Sequence, residues 1–474
     1  MKILLIKPPL NRNLFSPAVG EPLELEYLAS AVDEHNVEIL DMRIDKNLGG
    51  KLEKFNPHFV GVTGYTCDVN SSMDVLKEVK KFDKKIVTAI GGHHVTFMPQ
   101  DCTAPFVDTM FFGMSDVSFR KYIDALEEGK GMDGVNNIAY RNGNGYEFTE
   151  QADFDVDLDS LPLPARHLTR HYWKHYRDQM RNRSAFVLTS RGCPFRCTFC
   201  SCWKLMRGKY ITRDPASVVD ELALLPEDVK LVYFADDNSL HSVRRARKLS
   251  ELIQTRKINK KLSMYARVDT IVSHPDLIES LKAAGLEYLT LGIEAIKDEA
   301  LNALNKKTSV EKNNEAIRIL QKLGIANSAH FIVQPEFTER DFEQLFRYVC
   351  DMNLFQPVFT VLTPLPGTDL YQECCDRLAI KNFDCFDYVH SVLPTKLERR
   401  EFYKQFMNLY AKSYSYRRYF RAMLKDVRSA LNRSNGEEHH RSDRLSLLRM
   451  ILIHIVAFPL KSRMRNLHRS EPLA

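Results

Sequence analysis

The chain lacks any uninterrupted apolar run of the roughly 20 residues that a membrane-spanning helix needs. Its carboxyl-terminal run Leu445–Leu460 stops at 16 residues and contains Arg449, His454 and Pro459. Nor does an apolar targeting segment stand behind a basic patch at the start, where Lys2-Ile3-Leu4-Leu5-Ile6 reads directly as a strand. That predicts a cytoplasmic protein. Net positive charge is absent over most of the length. Of a formal +6, the stretch Arg400–Ala474 holds 16 Lys and Arg against 6 Asp and Glu, so residues 1–399 are net negative. A basic tail suits nucleic acid or an anionic membrane surface, and since the rest of the chain gives no support to the first, no nucleic acid is expected. With 44% hydrophobic and 27% charged residues, the 474 positions describe two to four soluble globular domains.

Two C-x2-C pairs, or Cys2His2 spacing, would announce structural zinc, and neither is present. Instead Ser190-Arg191-Gly192-Cys193-Pro194-Phe195-Arg196-Cys197-Thr198-Phe199-Cys200 sets three thiols at C-x3-C-x2-C on one short loop. Four-iron clusters are normally held by four thiolates. Three ligands leave one iron free for a substrate, which suggests catalysis rather than electron carriage. Zinc remains an alternative if Cys202 serves as a fourth ligand. A disulfide fits poorly, because ten cysteines without a targeting segment describe a reducing compartment. At this loop, with Phe199 just before the last Cys, the chain resembles the radical S-adenosylmethionine (SAM) enzymes. The resemblance implies a cluster on Cys193, Cys197 and Cys200 whose open iron chelates SAM, and which when reduced cleaves SAM to a 5'-deoxyadenosyl radical.

Ahead of the loop, five apolar runs alternate with amphipathic stretches: Ile3–Ile6, Val37–Leu40, Phe59–Val62, Ile86–Ile90 and Thr109–Phe112. Glu21–Val32 and Ser71–Phe82 repeat apolar residues at helical spacing. The rhythm predicts a doubly wound parallel sheet, with ligands beyond the strands' carboxyl ends. There Gly61-Val62-Thr63-Gly64 and Gly91-Gly92-His93-His94 offer glycines that let backbone approach a large flat ligand. Together with Pro8-Pro9, Glu21-Pro22-Leu23 and Asp41, these residues resemble the cobalamin-binding domain that precedes the barrel in one large radical-SAM class, over roughly residues 1–130. By that resemblance Thr63, Gly64, Gly91, Gly92, His93 and His94 are the candidate cobalamin contacts. A lower axial histidine would come from D-x-H-x-x-G. The one D-x-H, Asp33-Glu34-His35, has no such Gly and reads as a surface accident at a helix end. His93 and His94 are nearer, with a plainer reading as polar residues beside a strand-end turn. Gly113-Met114-Ser115-Asp116 departs from the family's acidic Gly-Glu pattern.

Asn142–Pro164, with its Asn-Gly-Asn-Gly turn chemistry, an acidic run and Leu161-Pro162-Leu163-Pro164, reads as a connector. Beyond it six strands alternate with helices: Ala185–Thr189, Leu231–Ala235, Leu262–Ala266, Tyr288–Ile293, Ala329–Val333 and Val358–Leu362. Asp214 before Pro215 predicts one helix start, and Thr308 with Glu311 a capping box. Six such units resemble the partial (β/α) barrel of radical-SAM enzymes, whose chemistry gathers at the strands' carboxyl ends. Asp236, Asp237, Arg267, Asp269, Glu294, Gln334 and Pro364-Leu365-Pro366-Gly367-Thr368 fall there. SAM presents an ammonium, a sulfonium and ribose hydroxyls, which carboxylates and hydrogen-bonding groups partner. The resemblance implies Asp236 or Asp237 near the SAM amino group or the cobalamin side, and Glu294 near its methionine or ribose; Phe199 and Arg267 complete the candidate SAM contacts. Plainer readings are a helix cap for Asp237-Asn238 and a salt bridge for Arg267.

The expected architecture is thus α/β: a Rossmann-like cobalamin domain over 1–140, a connector over 141–180, a partial (β/α)6 TIM-type barrel over 181–398 and a basic helical region over 399–474. Leu445–Leu460 with its basic flanks reads as an interfacial helix on an anionic membrane, or as a helix packed on the barrel. The whole resembles the cobalamin-dependent radical-SAM methyltransferases, and among them the hopanoid C-3 methylases. That implies three cofactors: one 4Fe-4S cluster, SAM and cobalamin. One SAM methylates the cobalamin, and a second yields a radical that takes hydrogen from an unactivated carbon, which then receives the methyl group. It also implies a small-molecule or lipid substrate and an external electron donor such as flavodoxin or ferredoxin. Two alternatives stand beside it: an oxidising or ring-forming enzyme resembling the anaerobic magnesium-protoporphyrin ester cyclases, and a non-enzymatic cobalamin or cluster sensor.

Overall fold

The structure is a computed structural model that describes residues 1–9, 19–152, 156–178, 182–354, 356–415 and 418. Strands β1 (Lys2–Lys7), β2 (Asn36–Asp41), β3 (Phe59–Thr63), β4 (Val87–Gly91) and β5 (Thr109–Phe111) pair in parallel in the order 2-1-3-4-5. Each corresponds to one of the five apolar runs, and the reason is burial on both faces. Leu4, Ile6, Val60, Val62 and Ile90 pack to one side, while Ile3, Leu5, Ile39, Phe59 and Ala89 pack to the other. The predicted helices form over Leu23–Ser30 and Val69–Phe82.

The sheet continues past its parallel part through antiparallel β6 (Ile138–Asn142) and β7 (Gly145–Phe148). Asn142-Gly143-Asn144-Gly145, expected to open the connector, closes this hairpin, with Asn142 opposite Gly145 and Gly143 at φ +58°. Asn-Gly suits a two-residue hairpin turn as well as it suits a linker.

The second sheet contains β8 (Ser184–Val187), and after the short antiparallel pair β9 (Ser190–Arg191) and β10 (Ile211–Thr212) come β11 (Leu231–Phe234), β12 (Lys261–Ala266), β13 (Leu286–Glu294), β14 (Ala326–Val333) and β15 (Gln356–Val361). Strands β8, β11, β12, β13, β14 and β15 are all parallel and lie in sequence order, the sheet of a partial barrel. Val187, Phe234, Met264, Leu291, Phe331 and Phe359 face outward onto an envelope of helices. Helix Arg399–Ser413 is part of that envelope, through buried Phe402, Phe406 and Leu409. Tyr410 Oη also donates to Phe359 O at 2.7 Å. Phe406→Ala should therefore cost about 3–5 kcal/mol in denaturant unfolding, because Phe406 is fully buried; a loss under 1 kcal/mol would place this helix outside the core.

Asp214 caps helix Pro215–Leu224 as expected, accepting from Ala216 N at 2.7 Å. The cap of helix Val310–Leu323 shifts by one residue from the expected Thr308. Ser309 is the extended residue before the first turn, and its hydroxyl accepts from Lys312 N. Among the described residues no helix is long and apolar enough to cross a membrane. The run Leu445–Leu460 lies outside the described residues.

Candidate active site

The cysteine loop leaves the end of β8 under tight control. Asp236, just past β11, accepts hydrogen bonds from Thr189 N at 2.8 Å, Thr189 Oγ1 at 2.6 Å and Ser190 N at 2.8 Å. Burial pushes its carboxyl up, and these bonds oppose the shift. The geometry makes Asp236 a positioning residue of the strand exit. Asp237 accepts from Gly192 N at 2.8 Å and also engages the Cys202 thiol. Gly192 has φ +87°, and a Cβ there would strike Lys209 O. The turn into Cys193 thus needs a residue without a side chain.

Cys197 is buried, while Cys193 and Cys200 are half-buried. Burial pushes the Cys193 and Cys197 thiols up, whereas a hydrogen bond from Cys202 pulls Cys200 down. A single tetrahedral zinc, with Zn–S of about 2.3 Å, needs sulfurs about 3.8 Å apart. Among the described residues the only cluster of three ligand atoms within 4.8 Å of one another is Glu34, His35 and Asp124, so no three thiols of the loop meet that need. Three ligands that each take a different iron of a larger cluster sit farther apart, a requirement that does not ask the three thiols to meet at one point.

At the ends of β12 and β13 the expected SAM contacts come together. The Arg267 guanidinium lies 3.6 Å from the Phe195 ring centroid, pairs with Asp269 at 2.7 Å and donates to Lys306 O at 2.7 Å. Glu294 takes φ +61° beside an irregularity in the β13–β14 pairing. A left-handed conformation in a residue other than Gly is strained, and such strain gathers at functional sites. Its carboxylate pairs with Lys306 at 2.7 Å, both side chains 10% exposed. The Lys306 ammonium is also 5.9 Å from the Phe199 ring. Phe199 packs against Leu304, Ile332 and Leu362. Burial lowers the His330 pKa, with Glu294 and Lys306 acting on it in opposite directions. Sequence reasoning missed Lys306; the one available signal was that a buried carboxylate needs a counter-charge.

Beyond the carboxyl ends of β1, β3, β4 and β5 lies a cavity of about 160 Å³, bordered by Gly61, Thr63, Gly91, Gly92, Leu25 and Phe111. Gly92 has φ +116°, and a Cβ there would stand 2.6 Å from Gly64 O. Gly64 N in turn donates to Gly91 O at 3.0 Å. This floor of stacked glycine turns, open to a largely apolar cavity, leaves the backbone free of side chains where the face of a flat ligand would approach. The two histidines diverge. His93 Nε2 lies 2.5 Å from Ser201 Oγ on the cysteine loop, and burial pushes its pKa down to about 4. His94 is fully buried, its ring nitrogens 3.2 Å from Asp101 Oδ2 and 3.3 Å from Thr66 Oγ1. Neither borders the cavity. His35, read from the sequence as a surface accident, has a side chain only 3% exposed, with Nδ1 2.9 Å from the Met1 amine. It stands at the amino-terminal end of β1, opposite the cavity.

The departure at Gly113-Met114-Ser115-Asp116 acquires a role. Asp116 makes two hydrogen bonds to the Arg191 guanidinium, at 2.6 and 3.0 Å, and Arg191 immediately precedes Gly192-Cys193. The Phe97 ring would meet any Cβ on Gly367. Glu21 accepts from Phe186 N at 2.7 Å, and Arg166 links Glu21 to Glu221. The carboxyl edge of the first sheet is thereby fastened against the loops of the barrel.

Residues 187–349 match the radical SAM superfamily, and residues 16–122 match the B12 binding domain. The anaerobic magnesium-protoporphyrin IX monomethyl ester cyclase of Rubrivivax gelatinosus is 32% identical over 78% of this chain and 67% of its own length. The hopanoid C-3 methylase of Methylococcus capsulatus is 26% identical over 81% of this chain and 74% of its own. Among solved structures, the cobalamin-dependent SAM radical enzyme OxsB superposes with a TM-score of 0.69 at 14% identity, covering 95% of this chain and 83% of that one. The radical SAM methyltransferase TsrM of Kitasatospora setae gives 0.64 at 19%, covering 80% and 77%. Fold, cysteine loop and cradle together define a radical SAM enzyme with an amino-terminal B12 binding domain. The chain belongs to the radical SAM enzymes that carry a B12 binding domain, whose cofactors are a 4Fe-4S cluster, SAM and cobalamin.

Proposed function

We propose that this enzyme transfers a methyl group from cobalamin to an unactivated carbon of a small molecule, and that the substrate is a hopanoid or another lipid. The observation that carries the reading is the fastening of the two sheets' carboxyl edges. Asp116–Arg191 and His93–Ser201 join the glycine cradle directly to the cysteine loop. When bound, cobalamin supplies the methyl group, and the reduced cluster with SAM supplies the radical that opens the C–H bond. Cys193, Cys197 and Cys200 hold the cluster. Thr63, Gly64, Gly91 and Gly92 admit the corrin face. Glu294, paired with Lys306, and Arg267, stacked on Phe195, are positioned to receive the polar groups of SAM. Asp237 holds the loop that presents the open iron. A packed, largely apolar surround excludes water and protects reactive intermediates. The lipid substrate is supported by the likeness to hopanoid C-3 methylase.

The test uses methyl-deuterated SAM with lipid extracts from cells that lack the protein. The expected product carries CD3 in place of one hydrogen. Each methylation is accompanied by one S-adenosylhomocysteine and one 5'-deoxyadenosine, the latter free of deuterium because its new hydrogen comes from the substrate. Likeness to the ester cyclase favours a second reading that keeps the radical but not the methyl. A product formed without added carbon, or at full rate without cobalamin, would select that reading.

A further inference from the structure

We propose that the outer face of the cysteine loop, formed by Arg196, Trp203, Lys204 and Lys307, is the docking surface for a small, acidic, one-electron carrier protein. This rests on the reading of Cys193, Cys197 and Cys200 as cluster ligands.

Position is the first argument. Trp203 Nε1 donates to the Cys197 carbonyl oxygen at 3.2 Å, so a half-exposed indole stands one hydrogen bond from a ligand residue. Among the described residues, other side chains of the loop are engaged by the protein. Phe199 turns in against Leu304, Ile332 and Leu362, while Asp116 and His93 of the first sheet take Arg191 and Ser201. Among the described residues the face around Trp203 is an exposed approach within one hydrogen bond of a ligand residue.

Charge is the second. The Arg196 guanidinium is 5.8 Å and the Lys204 ammonium 5.4 Å from the Trp203 ring centroid. Asn305 Nδ2 donates to Arg196 O at 2.6 Å and brings the turn that carries Lys307 to the same side. Arg196 and Lys307 are exposed, and neither is ion-paired among the described residues; Lys204 pairs with Asp369 at 2.5 Å. Arg196 and Lys204 flank one aromatic ring, and Lys307 stands exposed two residues past Asn305, in a body that is net negative over residues 1–399. A local positive field of this kind steers an acidic partner and orients it, and salt weakens the steering. A half-exposed tryptophan amid arginine and lysine has the composition of an interface centre. The step moves one electron: the reduced carrier is oxidised by one, and the cluster is reduced by one.

The test uses the anaerobic holoenzyme and a bacterial flavodoxin as probe. Calorimetry measures binding of oxidised flavodoxin at about 0.05 M and about 0.3 M salt, and SAM cleavage is driven separately by reduced flavodoxin and by dithionite. Arg196→Glu with Lys307→Glu should weaken binding about tenfold or more and flatten its salt dependence. Flavodoxin-driven cleavage should fall in step, while dithionite-driven cleavage stays at the wild-type rate. Lys307→Glu alone, which lies outside the cysteine loop, should show a smaller loss of the same kind. Wild-type affinity in the double variant overturns the proposal, as does an equal loss with both reductants. Absence of dithionite-driven cleavage in the wild-type protein would instead overturn the cluster reading on which the surface depends.

Discussion

Replacing Cys193, Cys197 or Cys200 by Ala, one at a time, is expected to take reconstituted iron from about four atoms per chain to a residue of adventitious metal, and to reduce SAM cleavage to background. Cys202→Ala is expected to keep both. Cys202 engages Cys200 and Asp237 and begins the helix Cys202–Leu205, so its thiol already has protein partners. A four-thiolate cluster would have no open iron for SAM, which is why the contrast between Cys202 and the other three decides the matter. Iron analysis with 5'-deoxyadenosine measurement checks it, and an equal loss in Cys202→Ala would defeat the three-ligand assignment.

The second large effect is expected at the fastening between the sheets. Asp116 and Arg191 are 8% and 12% exposed in their side chains, and their contact is bidentate. Asp116→Ala leaves a desolvated guanidinium without its counter-ion. Such truncations cost about 3–5 kcal/mol. Arg191→Lys is no conservative substitute, because an ammonium cannot reproduce the fork. The functional consequence follows from where the pair stands, between the cobalamin cradle and the residue before the cluster turn. Loosening it should leave SAM cleavage running while methyl transfer fails. The ratio of 5'-deoxyadenosine to methylated product should rise by about tenfold for a misplacement costing about 1.4 kcal/mol in the transfer step. A drop in the thermal midpoint with an unchanged ratio would make the pair structural only.

Much of this molecule was legible because the signals are local. The parallel strands of both sheets were visible as apolar runs, since strands buried on two faces are apolar at nearly every position. The cluster triad was visible because its ligands lie on one short loop. Misreadings occurred where one local chemistry serves two ends. Asn142-Gly143 suits a linker or a hairpin, and the β6–β7 pairing decided for the hairpin. Thr308 and Ser309 are both capping residues, and the extended backbone at Ser309 chose between them.

By itself the sequence determined the order of the two sheets, the thiol spacing, the glycines at the strand ends and the acidic residues at the barrel mouth. Tertiary structure alone decided what those groups face. Asp236 and Asp237 are neighbours in the chain, yet one holds the backbone of Thr189 and Ser190 and the other Gly192 and Cys202. His93 and His94 are likewise adjacent, yet one reaches Ser201 on the cysteine loop and the other turns inward to Asp101 and Thr66. Asp116 finds Arg191 across 75 positions of chain, and Glu294 finds Lys306 across a helix and a turn. Consecutive side chains leave the backbone in different directions, and buried charges are balanced by whatever the fold brings within reach; neither the direction nor the partner is written in local spacing.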